Sequence, residues 1–220
     1  VAQTFFVDAD VREKTKLDAI VTVADAKHLA MRLADSPEAQ EQIALADIVL
    51  VNKTDLVSVE ELNAVERAIR RINPTAALHR TERCSIDLAR VLEQRAFDLD
   101  RVLELDPHFL PDHDCASPCA HHHEHEEHDH DHAATNGVAS VSLATERLID
   151  PNKLLPWLNA FTQERGPDLM RLKGIMAFPN EPKRFVLQGV HMILEGDTQR
   201  DWKEGEKRIS RLVFIGRNLD

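Results

Sequence analysis

Two short stretches of this sequence contain side chains suited to binding a ligand or a metal ion, and the first is Asn52-Lys53-Thr54-Asp55. It follows the apolar run "DIVLV". The carboxylate of Asp55 could accept hydrogen bonds from the N1–H and the exocyclic amine of guanine, a donor pair that adenine lacks. The stem of Lys53 could lie along the purine face, and Asn52 could connect neighbouring loops. Guanine binding is the favoured interpretation, and a plain strand-to-helix turn with a solvated lysine is the alternative.

The second stretch is "CAHHHEHEEHDHDH", residues 119 to 132, with seven histidines, five carboxylates and no lysine or arginine. Neutral imidazoles and thiolates suit Zn²⁺, Ni²⁺, Co²⁺ or Cu²⁺, and the carboxylates raise the local negative potential. The spacing does not match a closed structural zinc site, so we expect several weak, exchangeable sites. The candidate metal ligands are Cys115, Cys119, His121, His122, His123, His125, His128, His130 and His132.

The segment from residue 112 to 132 consists almost wholly of His, Asp, Glu, Cys, Ala, Ser and Pro. Few of these side chains could drive packing, so the composition predicts disorder. An acidic solvated linker that binds no metal is the alternative interpretation. A purification tag is disfavoured because the run is internal and broken by Glu and Asp. Metal ligands must lose their protons, so zinc uptake should fall below the imidazole pKa of about 6.5.

A parallel α/β unit is predicted around the tetrapeptide. The runs at residues 17–26 and 46–55 are rich in Val, Ile and Leu, which is typical of strands buried on both faces. The segment between them is rich in helix formers, with Pro37 as a break. In such sheets ligands bind beyond the carboxyl ends of the strands, where Asn52 to Asp55 would lie.

Further elements of the first half follow from local signals. Ser58 and Glu61 have the spacing of a capping box, and Asn73-Pro74 should end the helix that they begin. The stretch "AALHRTE" predicts a short strand, and residues 85–94 predict another helix. The first half therefore alternates strands and helices, as a parallel sheet requires.

A small α+β domain with one sheet is predicted for the second half. Residues 137–145 alternate apolar and polar side chains, as a half-buried strand does. Asp150-Pro151 begins a helix with an apolar stripe that ends before Gly166. Three more strands are predicted at about residues 172–178, 184–194 and 211–215. The predicted domains are residues 1–105, a metal-binding linker at 106–136, and residues 137–220.

Composition excludes several classes of function. The formal net charge of −11 argues against nucleic-acid binding, which requires a basic stripe. The sequence contains no apolar run of about eighteen residues and no leader-like segment, so no membrane association is expected. Three cysteines are too few for a disulfide scaffold, and a reducing, cytoplasmic setting is the default. A homo-oligomer is left open.

Several motifs resemble the CobW family. "LDAIVTVADAKH", "EQIALADIVLVNKTDL" and "RINPTA" are similar to the later half of that family's GTPase domain. "RLKGIMAF", "RFVLQGVH" and "RISRLVFIGRNLD" are similar to its C-terminal domain. The resemblance covers most of the chain outside the histidine run. It implies a P-loop GTPase fold, GTP and Mg²⁺ as cofactors, and a metallochaperone that delivers Zn²⁺, or alternatively Co²⁺ or Ni²⁺, to a metal-requiring client protein.

The resemblance also implies motifs that precede Val1, namely the Gly-Lys-Thr phosphate loop, a Cys-x-Cys-Cys motif and a Mg²⁺-supporting acidic segment. Backbone amides and a lysine of such a loop hold the phosphates. We therefore expect GTP hydrolysis from a longer parent protein, with its catalytic residues unassigned here, and only weak, guanine-directed affinity from these 220 residues. A non-enzymatic metal buffer or interaction module with a vestigial nucleotide fold is the alternative function.

Overall fold

Two β-sheets with accompanying helices make up the described structure, a computed structural model that covers residues 9–15, 17–94 and 137–219. The first portion contains α1 (Ala9–Lys14), β1 (Val21–Asp25), α2 (Leu29–Asp35), α3 (Pro37–Leu45), β2 (Ile48–Asn52), α4 (Val59–Ile72) and β3 (Ala77–Thr81). The second contains β4 (Val138–Thr145), α5 (Pro151–Arg165), β5 (Leu169–Met176), β6 (Lys183–Val190), β7 (Ile193–Asp201) and β8 (Ser210–Arg217).

The first sheet is parallel, with β2 between β1 and β3. The first four residues of β2 are buried, as its continuous apolar run predicts. Helices α2, α3 and α4 pack against this sheet and contribute Leu33, Ile43 and Val65 to its core. The predicted order of strands and helices is confirmed from β1 to β3, and Pro37 divides the intervening helical segment into α2 and α3.

Helix α4 illustrates how local sequence sets an element. The Ser58 hydroxyl accepts from the Glu61 backbone N–H at 3.2 Å, and the Glu61 carboxylate accepts from the Ser58 N–H at 2.7 Å. This reciprocal capping box satisfies N–H groups that a helix start leaves open. At the other end, the buried Asn73 side chain donates to three backbone carbonyls at the end of α3. Both predicted boundaries of this helix are thus confirmed.

The second sheet is antiparallel, in the order β4-β8-β5-β6-β7. Helix α5 covers one face, where Leu158 packs in a cluster with Leu172 and Phe214. The other face carries Val213 and Ile215, which belong to the same core cluster as Ile43 of the first portion. The two sheets therefore share a continuous apolar core. Fold class is confirmed as a parallel α/β sheet followed by a small α+β unit.

Two predicted elements of the chain are wrong in detail. The single strand predicted at residues 184–194 is two strands, because the chain turns at His191 and Met192. His191 has a φ of 53°, which L-residues adopt mainly in turns. The helix predicted at residues 85–94 is reduced to a 3₁₀ turn at Leu88–Arg90. Each helix in the described ranges is too short or too polar to cross a lipid bilayer.

Candidate nucleotide site

Three polar residues lie side by side at the carboxyl ends of the parallel strands. Asp25 ends β1, Asn52 ends β2 and Thr81 ends β3, and the strand register pairs them directly. A row of this kind arises because parallel strands all end at one edge of the sheet. The predicted site residues Asn52, Lys53 and Asp55 lie at that edge, or in the turn that follows it.

Asn52 connects the three strand ends. Its side-chain oxygen accepts from the Thr81 hydroxyl at 3.2 Å and from the Cys84 backbone N–H at 2.8 Å. Its backbone carbonyl accepts from the Ala26 N–H at 2.9 Å. These bonds fix the loop after β1 and the loop after β3 relative to the end of β2. Asn52 therefore holds the three strand ends and the two flanking loops in a fixed arrangement.

The side chain of Lys53 extends across the strand ends to Asp25. Its backbone is left-handed, with a φ of 63°, and its ammonium group donates to Asp25 Oδ2 at 2.8 Å. The ammonium group, together with smaller contributions from the His28 side chain and the Lys27 N–H, holds the pKa of the Asp25 carboxyl well below its usual range. The same bond raises the pKa of the Lys53 ammonium. The stem of Lys53 thus spans the gap between β2 and β1.

Asp25 also shapes the loop that follows it. Its Oδ1 atom accepts from the Lys27 N–H at 2.9 Å and from the His28 N–H at 3.2 Å. The His28 ring nitrogen Nδ1 lies 3.1 Å from Asp25 Oδ2. A carboxylate that bonds backbone N–H groups two and three residues later forms a local turn. Asp25 therefore orients the start of α2 and anchors Lys53 at once.

Asp55 lies in the 3₁₀ turn Thr54–Leu56, between β2 and the capped start of α4. Its side chain is exposed, while the Thr54 hydroxyl donates to the Thr81 carbonyl at 3.2 Å and ties the turn to β3. An exposed carboxylate on a turn fixed at both ends can accept hydrogen bonds from a planar base. Recognition of a guanine base by Asp55 stays a prediction.

Sequence reasoning missed Asp25, Thr81 and Cys84 as parts of this site. Asp25 lies 28 positions before Lys53, and Cys84 lies 32 positions after Asn52. The one available signal was the rule that consecutive parallel strands end at the same edge, so the residues after β1 and β3 had to lie beside Asn52. Applied to "VADAKH" and "HRTERC", that rule would have indicated all three.

The candidate metal ligands lie outside the described residues. Cys115, Cys119 and the seven histidines from 121 to 132 all belong to the range 95–136, so their arrangement stays a prediction. Within the described portions, no three His, Cys, Asp or Glu side chains are grouped as a metal site.

A parallel α/β sheet with Asn-Lys-x-Asp at the carboxyl end of a central strand is typical of guanine-nucleotide-binding proteins of the P-loop class. Comparison with known families is consistent with that class. The CobW/HypB/UreG nucleotide-binding domain matches residues 1–80, and the cobalamin synthesis protein cobW C-terminal domain matches residues 138–220. The chain belongs to the CobW family.

Proteins similar to this chain include zinc chaperones and a zinc-regulated GTPase metalloprotein activator. The zinc chaperone YjiA of Escherichia coli is 26% identical over all of this chain and 62% of its own length. The zinc-regulated GTPase metalloprotein activator 1 of Schizosaccharomyces pombe is 28% identical, over all of this chain and 57% of its own length. The zinc chaperone CobW of a Sinorhizobium species is 29% identical, over 94% of this chain and 60% of its own length. The chain spans less than two thirds of these relatives.

A solved structure shares the fold. The Zn(II)-bound YjiA GTPase from E. coli superimposes with a TM-score of 0.75, over 99% of this chain and 62% of that chain, at 24% sequence identity. At this identity the likeness concerns the arrangement of the two sheets. It supports the fold assigned above from the strands and their order.

Proposed function

We propose that this chain is the guanine-recognising and C-terminal part of a GTP-dependent metallochaperone that delivers zinc to a client protein. The observation that carries the proposal is the arrangement of Asn52, Lys53 and Asp55 at the end of β2, fixed by hydrogen bonds to both neighbouring strand ends. The names of the relatives, zinc chaperones and zinc-regulated GTPase activators, support zinc as the cargo and a client protein as its recipient.

In this proposal the base is recognised by complementary hydrogen bonding. Asp55 accepts from N1–H and the exocyclic amine of guanine, and hydrogen bonds to a charged acceptor contribute about 1.5–3 kcal/mol each. Adenine offers no matching donor pair and leaves the carboxylate unmatched. Asn52 holds the loops on either side of the base, and the Lys53 stem, anchored by Asp25, lies along the base.

Base exchange tests this recognition. The 220-residue chain should bind guanosine weakly and adenosine more weakly still, as followed by NMR shifts of the amides from residue 52 to 56. Asp55→Asn should lower guanosine affinity by about 10- to 100-fold because one accepted bond is lost and an amine faces an amine. The same variant should gain affinity for xanthosine, whose base has a carbonyl where guanine has the amine.

Glu60→Gln is the matched control, because Glu60 is an exposed carboxylate in the first turn of α4. It should leave both nucleoside affinities unchanged. Equal binding of guanosine and adenosine by the unaltered chain, or equal effects of the two substitutions, would contradict base recognition at Asp55. The metal-buffer function would then be favoured.

The cargo site is proposed to lie in the His-rich run between residues 112 and 132. The seven histidines at 121–132 and two cysteines supply nitrogen and sulfur ligands that Zn²⁺ prefers, and five carboxylates within 119–132 add negative charge. Exchangeable sites suit delivery, because a closed tetrahedral site releases its metal slowly. Zn²⁺ is the transported substrate in this proposal, and Co²⁺ or Ni²⁺ are alternatives that the same ligands accept.

Zinc titration of the chain at pH 7.5 tests the cargo site. Replacing the seven histidines at 121–132 with glutamine should abolish most of the zinc uptake, because imidazole supplies most of the ligand atoms. The matched variant changes the five carboxylates of the same run to their amides and should weaken uptake far less. Lowering the pH to 5.5 should release the metal as the imidazoles protonate. Equal losses in the two variants would indicate a charge effect without specific ligation.

A further inference from the structure

A buried cluster of three charges joins the two sheets, far from the candidate nucleotide site. Asp47, the residue before β2, bonds through its Oδ1 atom to Arg171 Nη2 and to Lys173 Nζ, the latter at 2.6 Å. The exposed fractions of these side chains are 1% for Asp47, 1% for Arg171 and 2% for Lys173. Both cations come from β5, the central strand of the second sheet.

Asp47 also hydrogen-bonds to residues at the starts of the two neighbouring strands of the first sheet. Its Oδ2 atom accepts from the Ile20 N–H at 2.9 Å, and its own N–H donates to the Ile20 carbonyl at 2.8 Å. Its carbonyl accepts from the Ala77 N–H at 2.8 Å. Ile20 immediately precedes β1, and Ala77 begins β3. One residue therefore fixes the starts of the same three strands whose ends carry the candidate site.

Strand β2 connects these two places directly. It runs from Ile48 to Asn52, so its ends lie about 13 Å apart at the usual rise of a strand. It is hydrogen-bonded along both edges, to β1 and to β3, and is almost wholly buried. A close-packed, doubly paired strand transmits a displacement of one end to the other, because its packing leaves little room to absorb it.

The charges make the link between β2 and β5 stiff. In a buried setting the attraction between a carboxylate and two cations changes steeply with distance, and water cannot replace a broken contact there. Two further polar contacts between the described portions differ from this cluster. The Arg217–Glu41 ion pair and the bond from the Ser140 hydroxyl to the Arg71 carbonyl are partly or largely exposed, so solvent can substitute for either partner.

We propose that the triad of Asp47, Arg171 and Lys173 couples the base-recognition loop to the C-terminal sheet, so that a change at either place is transmitted through β2. The inference rests on the proposed function only for what the loop binds. The coupling itself belongs to the folded chain and exists without nucleotide. Arg171 and Lys173 act as positioning residues in this arrangement, because neither lies near the base.

Amide hydrogen exchange of the nucleotide-free chain tests the coupling. The reporters are the N–H groups of Ala26 and Cys84, both of which donate to Asn52. Asp47→Asn should make both reporters exchange about tenfold faster, because the strand starts lose their charged anchor. Lys173→Met should produce a smaller change in the same reporters while keeping the neutral Asp47–Arg171 pair, so this variant folds even if Asp47→Asn does not.

Arg217→Gln is the matched control, because it removes an ion pair between the same two portions at an exposed position. It should leave the reporters unchanged within about twofold. Amides of α5, which covers the far face of the second sheet, serve as the internal reference. The coupling is refuted if the triad variants accelerate exchange in α5 and in the reporters by one common factor, because the triad then only stabilises the whole fold. It is also refuted if the variants leave exchange of the reporters unchanged.

Guanosine titration separates this inference from the proposed function. In a Trp157→Phe background, Trp202 is the one tryptophan of the chain, and it packs against the core that both portions share. Guanosine should shift its emission, and Lys173→Met should reduce that shift at equal occupancy. If the chain binds no guanosine, base recognition fails while the exchange result still decides the coupling. If the emission shift survives Lys173→Met unchanged, the coupling is refuted while base recognition stands.

Discussion

The two ends of β2 use the same chemistry in opposite surroundings. At the carboxyl end, Lys53 bonds to Asp25 at the surface, with 50% and 29% of the two side chains exposed. At the amino end, Lys173 and Arg171 bond to Asp47 with almost no exposure. Water can replace the partner of an exposed charge, so the first pair can open to admit a ligand. The second pair cannot open without leaving a charge buried, so it fixes geometry.

The largest effect is expected from Asp47→Asn, which leaves two buried cations without their carboxylate. Breaking a buried ion pair on one side costs about 3–5 kcal/mol of unfolding free energy. Denaturant unfolding, followed by circular dichroism, measures the loss. Asp25→Asn removes the carboxylate of the exposed pair and should cost a small fraction of that amount. Equal losses of unfolding free energy in the two variants would show that burial does not make the Asp47 contacts stronger than the Asp25–Lys53 pair.

A somewhat smaller effect is expected from pH, through Lys173. Burial lowers the pKa of its ammonium group to about 8, against the attraction of Asp47 and with a further lowering from Arg171. Between about pH 8 and the unfolded value of 10.5, the unfolded chain binds a proton that the folded chain does not. Stability therefore rises with pH across this window, by at most about 3 kcal/mol at 1.36 kcal/mol per unit of pKa.

The measurement is the difference in unfolding free energy between the wild-type chain and Lys173→Met at several pH values from 7 to 11. The variant lacks the titrating group, so its curve should lack the rise while other groups contribute to both chains alike. A constant difference across this range would show that the ammonium group of Lys173 keeps its ordinary pKa in the fold.

A still smaller effect is expected from Arg217→Gln, which breaks the exposed ion pair with Glu41 at the same boundary between the two portions. Surface ion pairs contribute less than about 1 kcal/mol. Denaturant unfolding should therefore place this variant close to the wild-type chain. A loss as large as that of Asp47→Asn would mean that position at the boundary, and not burial, sets the strength of these contacts.

The smallest effect on stability is expected from Lys53→Met, whose readout is a pKa. The hydrogen bond from Lys53 is the largest cause of the depressed pKa of the Asp25 carboxyl, so its removal should raise that pKa toward the ordinary value of about 3.9 for aspartate. NMR titration of the Asp25 side chain measures the shift. Lys27→Met is the matched control, because only the backbone N–H of Lys27 contacts Asp25. Equal pKa shifts in the two variants would show that the effect comes from the loss of any nearby positive charge and not from the Lys53 hydrogen bond.

Local signals in the sequence predicted the elements that local forces set. The apolar run of β2, the capping box of Ser58 and Glu61, and the break at Pro37 each act within a few residues, so reading the chain in order finds them. The turn at His191 and Met192 was missed because neither residue is a Gly, Pro, Asn or Asp, the usual markers of a turn. The turn is required by the antiparallel pairing of β6 with β7, which depends on contacts between the strands and not on the residues of the turn.

The candidate site was predicted only in part, for the same reason. Asn52, Lys53 and Asp55 are adjacent and follow a recognisable strand, whereas their partners Asp25, Thr81 and Cys84 come from other strand ends. The proposed metal ligands of residues 115–132 were predicted from composition alone and stay predictions. Asp47 had no predicted role, because its partners Arg171 and Lys173 lie far away in the sequence.

The parallel and antiparallel portions, the central strand, the Asn-Lys-x-Asp turn and the composition of the His-rich run could all be recognised from the sequence. Each of these depends on periodicity, capping or residue type within a short window. The buried contact of Asp47 with the second sheet depends on the tertiary fold, because its cationic partners are 124 and 126 positions away. The sequence gives the type of a charged residue but not its burial. Burial decides whether solvent can open an ion pair or whether the pair holds two sheets together.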